Sequence, residues 1–201
     1  MRTEPIALAY TGASGIPYGL RLLECLLERK RSVYLMISPA ARTVFSMETT
    51  LALPELPQEI EEYLTKRYRA DAGLLRVFHH QDWTAPLASG SNPPAAMVVC
   101  PCTMGTLAAI AMGSSDNLIE RAADVCLKES RRLVLVPRES PFSVIHLENM
   151  LRLAKLGVVI LPPNPGFYHR PNSVDDVVDF VVARILDHVN VPHKLLARWG
   201  E

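Results

Sequence analysis

The sequence lacks a net charge. Lys and Arg together number 21, and so do Asp and Glu, which gives a formal charge of +0 over 201 residues. A balanced chain has no overall field that would attract nucleic acid or an anionic membrane surface. We therefore expect neither as a partner, and any anion-binding site has to be local.

The sequence also lacks long hydrophobic runs and paired cysteines. Its longest apolar stretches, such as residues 95–100 and 157–161, are far shorter than the roughly 20 residues that a membrane helix needs. The four cysteines have no paired spacing, and the N-terminus lacks the pattern of a signal peptide: Cys25, Cys100, Cys102 and Cys126. We expect a cytoplasmic protein with no membrane span.

Enough apolar material is present for a buried core, because hydrophobic residues make up 49% of the chain and charged residues 21%. A chain of 201 residues fits one ordinary domain. We predict a single domain over residues 1–201. Within it, residues 187–201 form a C-terminal tail that packs at the site or at a subunit interface.

Short apolar runs alternate with segments of helical periodicity. Runs that are apolar throughout are typical of strands buried on both faces. The predicted strands are residues 6–10, 33–37, 97–100, 133–136 and 158–161, and the predicted helices are residues 17–27, 58–69, 103–112, 117–128, 142–156 and 173–186, with another that begins after Ser38. This order predicts a three-layer Rossmann-like (flavodoxin-like) α/β domain, in which helices cover both faces of a mostly parallel sheet. No strand is predicted in the irregular region 51–92.

Polar turns follow several of the predicted strands. In open α/β sheets, ligands bind beyond the carboxyl ends of the strands. Three of these turns carry a hydroxyl group and lead into a helix, where unpaired amides and the helix dipole attract anions: Ser14, Ser38 and Thr103. We predict one phosphate site here, although each hydroxyl by itself could serve only as a helix cap.

The glycine turn at residues 11–15 also resembles the start of short-chain dehydrogenases. Its glycines continue to Gly19 in the pattern G-x-x-G-x-x-x-G, which is not the dinucleotide fingerprint G-x-G-x-x-G. The second strand ends in Ser38 and not in the acidic residue that binds the ribose of NAD. An NAD enzyme is therefore the weaker alternative.

A metal site is a further alternative, because Cys100 and Cys102 lie at a strand end with His79 and His80 upstream. Zinc ligands usually follow other spacings, and buried cysteines commonly behave as small apolar residues. We expect no metal.

A series of motifs resembles the UbiX family of flavin prenyltransferases, in order and spacing, from residue 6 to about residue 199. The motifs are TGASG at 11–15, SPAAR at 38–42, MET at 47–49, PCT at 101–103, RAADV at 121–125, KE at 128–129, LVPRE at 135–139, and PP at 162–163 followed by FYHRP at 167–171. The similarity weakens between residues 51 and 94. The family often has lysine where this chain has Gly105.

The resemblance implies that reduced FMN accepts a dimethylallyl group from dimethylallyl phosphate at N5 and C6, and that the prenylated FMN serves a UbiD-type decarboxylase. The residues that would bind FMN are Gly12, Ala13, Ser14, Ser38, Thr103, Met104, Gly105, Thr106 and Arg138. Those that would bind the allylic phosphate are Arg121, Lys128, Tyr168, Arg184 and Trp199. It also implies a homo-oligomer built from trimers, a dodecamer, with sites at the subunit junctions.

The implied catalytic residues are Ser14, Glu48, Glu139 and Tyr168. Cleavage of an allylic C–O bond leaves a phosphate whose growing charge needs cations in a water-poor pocket. Glu139 would protonate this phosphate, and Glu48 with Ser14 would accept the proton lost from flavin N5. The rings of Tyr168 and Trp199 would stabilise allylic cation character.

The three cations assigned to phosphate binding can also have purely structural roles, since each could pair with a nearby carboxylate or lie along a helix surface: Arg121, Lys128 and Arg184. Two alternative functions also stay open, an FMN-dependent decarboxylase of a cysteine-derived substrate and a non-catalytic flavin carrier. The lack of a histidine near Ser14 and the presence of Glu139 and Tyr168 argue against the decarboxylase. Turnover without a partner would exclude the carrier. The donor can be a monophosphate or a diphosphate.

Overall fold

The computed structural model of the chain describes residues 4–197 and residue 200. The strands are β1 (Ile6–Tyr10), β2 (Val33–Ile37), β3 (Leu75–Phe78), β4 (Ala96–Cys102), β5 (Arg132–Pro137) and β6 (Val159–Ile160). The helices are α1 (Ile16–Glu28), α2 (Pro39–Glu48), α3 (Pro57–Arg67), α4 (Met104–Met112), α5 (Leu118–Lys128), α6 (Val144–Lys155) and α7 (Val174–His188).

The six strands form one sheet in the order β3-β2-β1-β4-β5-β6, and every recorded pairing is parallel. The predicted three-layer α/β fold is confirmed. The strand order reverses between β1 and β4, and this is the place where such folds bind their ligands. β3 was not predicted, because it has only four residues and the side chain of Arg76 within it is exposed.

Helices cover both faces of the sheet over two separate hydrophobic clusters. Alternate residues of β1 divide between them, because Leu8 packs in one cluster and Ala9 in the other. The first cluster includes residues of α1, α2, α3 and α7, and the second includes residues of α4, α5 and α6. Burial of each large aliphatic side chain contributes about 1.5–3 kcal/mol, so these clusters stabilise the fold.

The C-terminal tail lies against α7 as far as it is described. Val189 and Val191 are buried, and Leu195 packs on the first cluster. Residues 187 and 188, which were assigned to the tail, belong to the last turn of α7. Among the described residues, no helix is long and apolar enough to cross a membrane.

Candidate active site at the carboxyl edge of the sheet

The crevice between β1 and β4 is fixed by Thr11, a buried residue to which the sequence analysis assigned no role of its own. Its hydroxyl donates to the carbonyl oxygen of Pro101 at 2.8 Å and accepts from the amide of Thr103 at 2.8 Å. The glycine turn after β1 and the start of α4 are therefore held together. In the sequence, the structural role of Thr11 is indicated only by its position directly before Gly12.

Ser38 and Thr103 cap helices, which is the alternative role that the sequence analysis gave to these hydroxyl groups. The hydroxyl of Ser38 accepts from the amide of Ala41 at the start of α2, at 3.1 Å. The hydroxyl of Thr103 accepts from the amide of Thr106 at the start of α4, at 3.0 Å. It also donates to the hydroxyl of Thr106, at 2.9 Å. Ser14 does not cap α1: its side chain is exposed, and the residue before the helix is Gly15, with a positive φ of 118°.

The carboxylate of Glu48 takes the place of a cap on α1. It accepts from the amide of Gly15 at 2.9 Å and from that of Ile16 at 2.9 Å. The positive end of the helix dipole stabilises a carboxylate at this position. Glu48 therefore lies beside Ser14, the residue with which it was predicted to act, although the two are 34 positions apart in the sequence.

The starts of α2 and α4 keep free anion-binding capacity. The first amides of a helix have no partner within it; Pro39 has no amide hydrogen and the caps use Ala41 and Thr106, which leaves the amides of Ala40 in α2 and of Met104 and Gly105 in α4. Gly105, in the first turn of α4, is exposed, and a Cβ atom there would meet only the Thr103 hydroxyl, at 3.9 Å. The residues present therefore fit a phosphate group, and the chain also has room for the lysine that the family often carries.

The predicted flavin-binding residues all come together at this edge. They belong to the turns after β1, β2, β4 and β5, which are neighbours in the sheet, and to the first turn of α4. The amide of Arg138 donates to the carbonyl oxygen of Cys102 at 3.2 Å, and the Arg138 side chain is exposed. Glu139 follows it, half-buried, and accepts from the amide of Ser140 at 3.1 Å. The individual roles of these residues stay predictions.

A cavity of about 700 Å³ contains two of the predicted phosphate ligands, Tyr168 and Arg184. Its other walls come from β6, the segment after it, α7 and the tail. The ring of Tyr168 meets that of Phe180 edge to face at 5.9 Å. Arg184 donates to the carboxylate of Asp187 at 2.5 Å. The predicted contact of Trp199 lies outside the described residues.

Arg121 and Lys128 lie on the other side of the sheet. Arg121 donates to the carbonyl oxygen of Ala88 at 2.9 Å and to Asp124 at 2.6 Å, and Lys128 donates to Glu129 at 2.6 Å. Buried residues of α5 belong to the second cluster, whereas those of α7 belong to the first. One chain therefore does not bring these two cations to Arg184, and their role in phosphate binding stays a prediction.

The cysteines at the end of β4 are fully buried. Burial raises the pKa of Cys102 to about 12 and that of Cys100 further. Both thiols therefore stay neutral and behave as apolar core groups. In the described part of the chain, no group of three or more His, Cys, Asp and Glu side chains is arranged to hold a metal ion.

Comparison with known proteins assigns the chain to a family. The sequence profile of the Flavoprotein family matches residues 1–186. A flavin prenyltransferase UbiX from Pseudomonas aeruginosa is 61% identical over 198 residues, which are 98% of this chain and 95% of that protein. The chain belongs to the UbiX family of flavin prenyltransferases. The resemblance seen in the sequence is thereby confirmed.

Solved structures of UbiX proteins agree with this fold. AnUbiX, solved in complex with FMN and dimethylallyl pyrophosphate, is 40% identical with a TM-score of 0.88, over 100% of this chain and 99% of that chain. A dodecameric FMN-dependent UbiX-like decarboxylase from Escherichia coli O157:H7 is 42% identical with a TM-score of 0.85, over 98% of this chain and 100% of that chain.

Proposed function

We propose that this UbiX-family chain transfers a dimethylallyl group from dimethylallyl phosphate to N5 and C6 of reduced FMN, and that a UbiD-type decarboxylase uses the product. The observation that carries the proposal is the position of Glu48, whose carboxylate is fixed beside Ser14 at the start of α1. AnUbiX, solved in complex with FMN and dimethylallyl pyrophosphate, supports FMN and a phosphorylated dimethylallyl donor as the ligands here. The cytoplasmic location stays a prediction.

The FMN phosphate is assigned to the starts of α2 and α4. Glu48 already accepts the first amides of α1, so a second anion there would be repelled. Of the three hydroxyl-bearing turns predicted to bind phosphate, those of Ser38 and Thr103 remain, and the exposed Arg138 follows the adjacent strand β5. Reduced FMN, when bound, supplies the nucleophilic ring atoms.

Glu48 accepts the proton that leaves N5. An ionised carboxylate has the required lone pairs, and its two amide contacts hold it in one orientation. Ser14 is exposed at the adjoining turn and passes the proton or orients the ring. Glu139, after β5, donates a proton to the departing phosphate.

The donor phosphate is bound at a junction between subunits. Tyr168 and Arg184 line the cavity of one chain, while Arg121 and Lys128 lie over the opposite sheet face and come from a neighbouring chain. An exposed apolar surface on α6 supports assembly: Val144, Ile145, Leu147 and Leu151. A trimer-based dodecamer fits the dodecameric protein from E. coli.

The proposal is tested by anaerobic incubation of the purified full chain with reduced FMN and dimethylallyl phosphate, followed by mass analysis of the released flavin. A mass gain of one five-carbon prenyl unit is the expected result. Dimethylallyl diphosphate in a parallel reaction identifies the preferred donor. Unmodified FMN released from a folded, flavin-bound protein would contradict the transferase and support the carrier or decarboxylase.

A further inference from the structure

One carboxylate connects the helix that carries Arg184 to the C-terminal tail. Asp187, in the last turn of α7, accepts from Arg184 Nη1 through Oδ2 at 2.5 Å. Its other oxygen, Oδ1, lies 3.1 Å from Nε2 of His193 in the tail. Both oxygens are therefore engaged, so the carboxylate is held in one orientation.

The hydrogen on the imidazole of His193 can be assigned from its two neighbours. A carboxylate only accepts, so Nε2 carries the hydrogen toward Asp187. The amide of Leu195 donates to the other nitrogen, Nδ1, at 3.4 Å. The side chain of His193 is only 13% exposed, which keeps water from competing for these contacts. The neutral tautomer with hydrogen on Nε2 satisfies both.

All three side chains line the cavity that contains Tyr168: Arg184, Asp187 and His193. Leu196 and Ala197 of the tail line it as well. A guanidinium group has five N–H donors, so the contact with Asp187 leaves others for a phosphate. The tail thus forms one wall of the cavity and fixes, through Asp187, the cation inside it.

We propose that Asp187 and His193 are positioning residues that preorganise Arg184 for the phosphate of the allylic donor. The inference rests on the proposed function, since it takes that donor as the ligand of the cavity. A free arginine side chain loses rotamer freedom when it binds an anion, and one already fixed loses less. Removing the network therefore weakens donor binding while the guanidinium group of Arg184 stays in the cavity.

Two substitutions of His193 separate the hydrogen bond from the packing of the ring. His193→Phe keeps a flat ring and loses the donor, whereas His193→Gln keeps an N–H that reaches Asp187. Asp187→Asn, nearly isosteric, removes the charge next to Arg184. Asp179→Asn is the matched control, because Asp179 lies on the same helix and pairs with Arg21 of α1 at 2.7 Å.

The first measurement is calorimetric titration of dimethylallyl phosphate into full-length protein loaded with oxidised FMN, where no transfer takes place. His193→Phe and Asp187→Asn are expected to weaken binding about three- to ten-fold, the loss of one hydrogen bond. His193→Gln and Asp179→Asn are expected to bind as the unchanged protein does. In turnover, the KM for the donor rises by the same factor, while kcat and FMN affinity stay unchanged.

The outcomes distinguish the two proposals. If the unchanged protein binds FMN but not dimethylallyl phosphate, the proposed function fails, and the positioning role fails with it. If the unchanged protein binds the donor and both His193→Phe and Asp187→Asn bind it equally well, only the positioning role is overturned. Equal losses of donor affinity in Asp179→Asn would also overturn it, since the effect would then belong to the helix as a whole.

Discussion

The hydroxyl of Thr11 accepts the amide hydrogen of Thr103 across the reversal point of the sheet, at 2.8 Å. Thr11 follows β1, and Thr103 connects β4 to α4. The same hydroxyl donates to Pro101 in β4. One side chain thus sets the distance between the two turns that flank the proposed flavin site.

Replacement of Thr11 by valine keeps its shape and removes its hydroxyl. We expect a loss of about 1–3 kcal/mol in the free energy of unfolding, because the partly buried amide of Thr103 and the carbonyl oxygen of Pro101 both lose their partner. FMN affinity should fall as well, since α4 is no longer held to the glycine turn. Urea unfolding and flavin titration measure the two effects. Thr11→Ser keeps the hydroxyl and should retain both the stability and the FMN affinity of the unchanged protein. Unchanged FMN affinity in the valine variant would show that the hydrogen bond between Thr11 and Thr103 does not position the site.

Glu48→Gln tests the proton acceptor. The amide oxygen can still accept from the amides of Gly15 and Ile16, as one carboxylate oxygen does now, so the stability should fall only by about 0.3–1 kcal/mol, the electrostatic part of the cap. FMN should still bind, while single-turnover prenylation slows by about a hundred-fold or more, as expected when a general base is lost. Glu55→Gln is the control, because the Glu55 side chain is 90% exposed and pairs with Arg42 at 3.3 Å, away from the start of α1. Full activity in Glu48→Gln would remove Glu48 from the mechanism.

Glu139→Gln should keep FMN binding and slow prenylation, because the amide can accept from Ser140 but cannot protonate the leaving phosphate. The rate of single turnover and the dissociation constant of FMN, measured on the same preparation, separate these effects. A turnover rate equal to that of the unchanged protein would mean that the phosphate takes its proton from elsewhere.

Two glycines of the site should respond to substitution in different ways. Gly105→Lys should change the stability by less than about 0.5 kcal/mol, because a Cβ there would meet only the Thr103 hydroxyl, at 3.9 Å, and the better helix propensity is offset by a positive charge at the helix start. Gly12→Ala should lose about 1–3 kcal/mol, since its Cβ would lie 2.5 Å from that of Ala40. Thermal unfolding compares them. A stable Gly12→Ala protein with normal FMN affinity would show that α2 can move away from the turn.

A mixture of two inactive variants tests the subunit junction. Arg184→Ala and Lys128→Ala proteins, dissociated and reassembled in equal amounts, should regain activity at about a quarter of the sites, where one chain contributes an intact Arg184 and its neighbour an intact Lys128. Turnover of the mixture is compared with that of each variant reassembled alone. No recovery in a verified mixed oligomer would place both residues in the site of a single chain or remove one of them from it.

Local sequence patterns were enough for most of the architecture. The apolar runs of β1, β2, β4, β5 and β6 and the helical periodicity between them predicted the layers, because burial on both faces leaves a mark within each segment. The caps at Ser38 and Thr103 were also local, since a cap hydroxyl bonds an amide three residues away. The sequence of β3 contains no apolar run of this kind, because it has four residues and one of them is exposed. β3 is defined by its pairing with β2 and by the carboxylate of Glu61, which accepts from the amide of Val77.

Patterns in the sequence were sufficient for the helices, for every strand except β3, for the family and for the residue types available at the carboxyl edge of the sheet. The contacts between distant residues became visible in the folded chain alone: Glu48 at the start of α1, Thr11 against Thr103, and Asp187 between Arg184 and His193. The fold also separates Arg121 and Lys128 from Arg184 by a whole sheet. The physical reason is that periodicity and caps act over a few residues, whereas these contacts depend on which face each helix packs against.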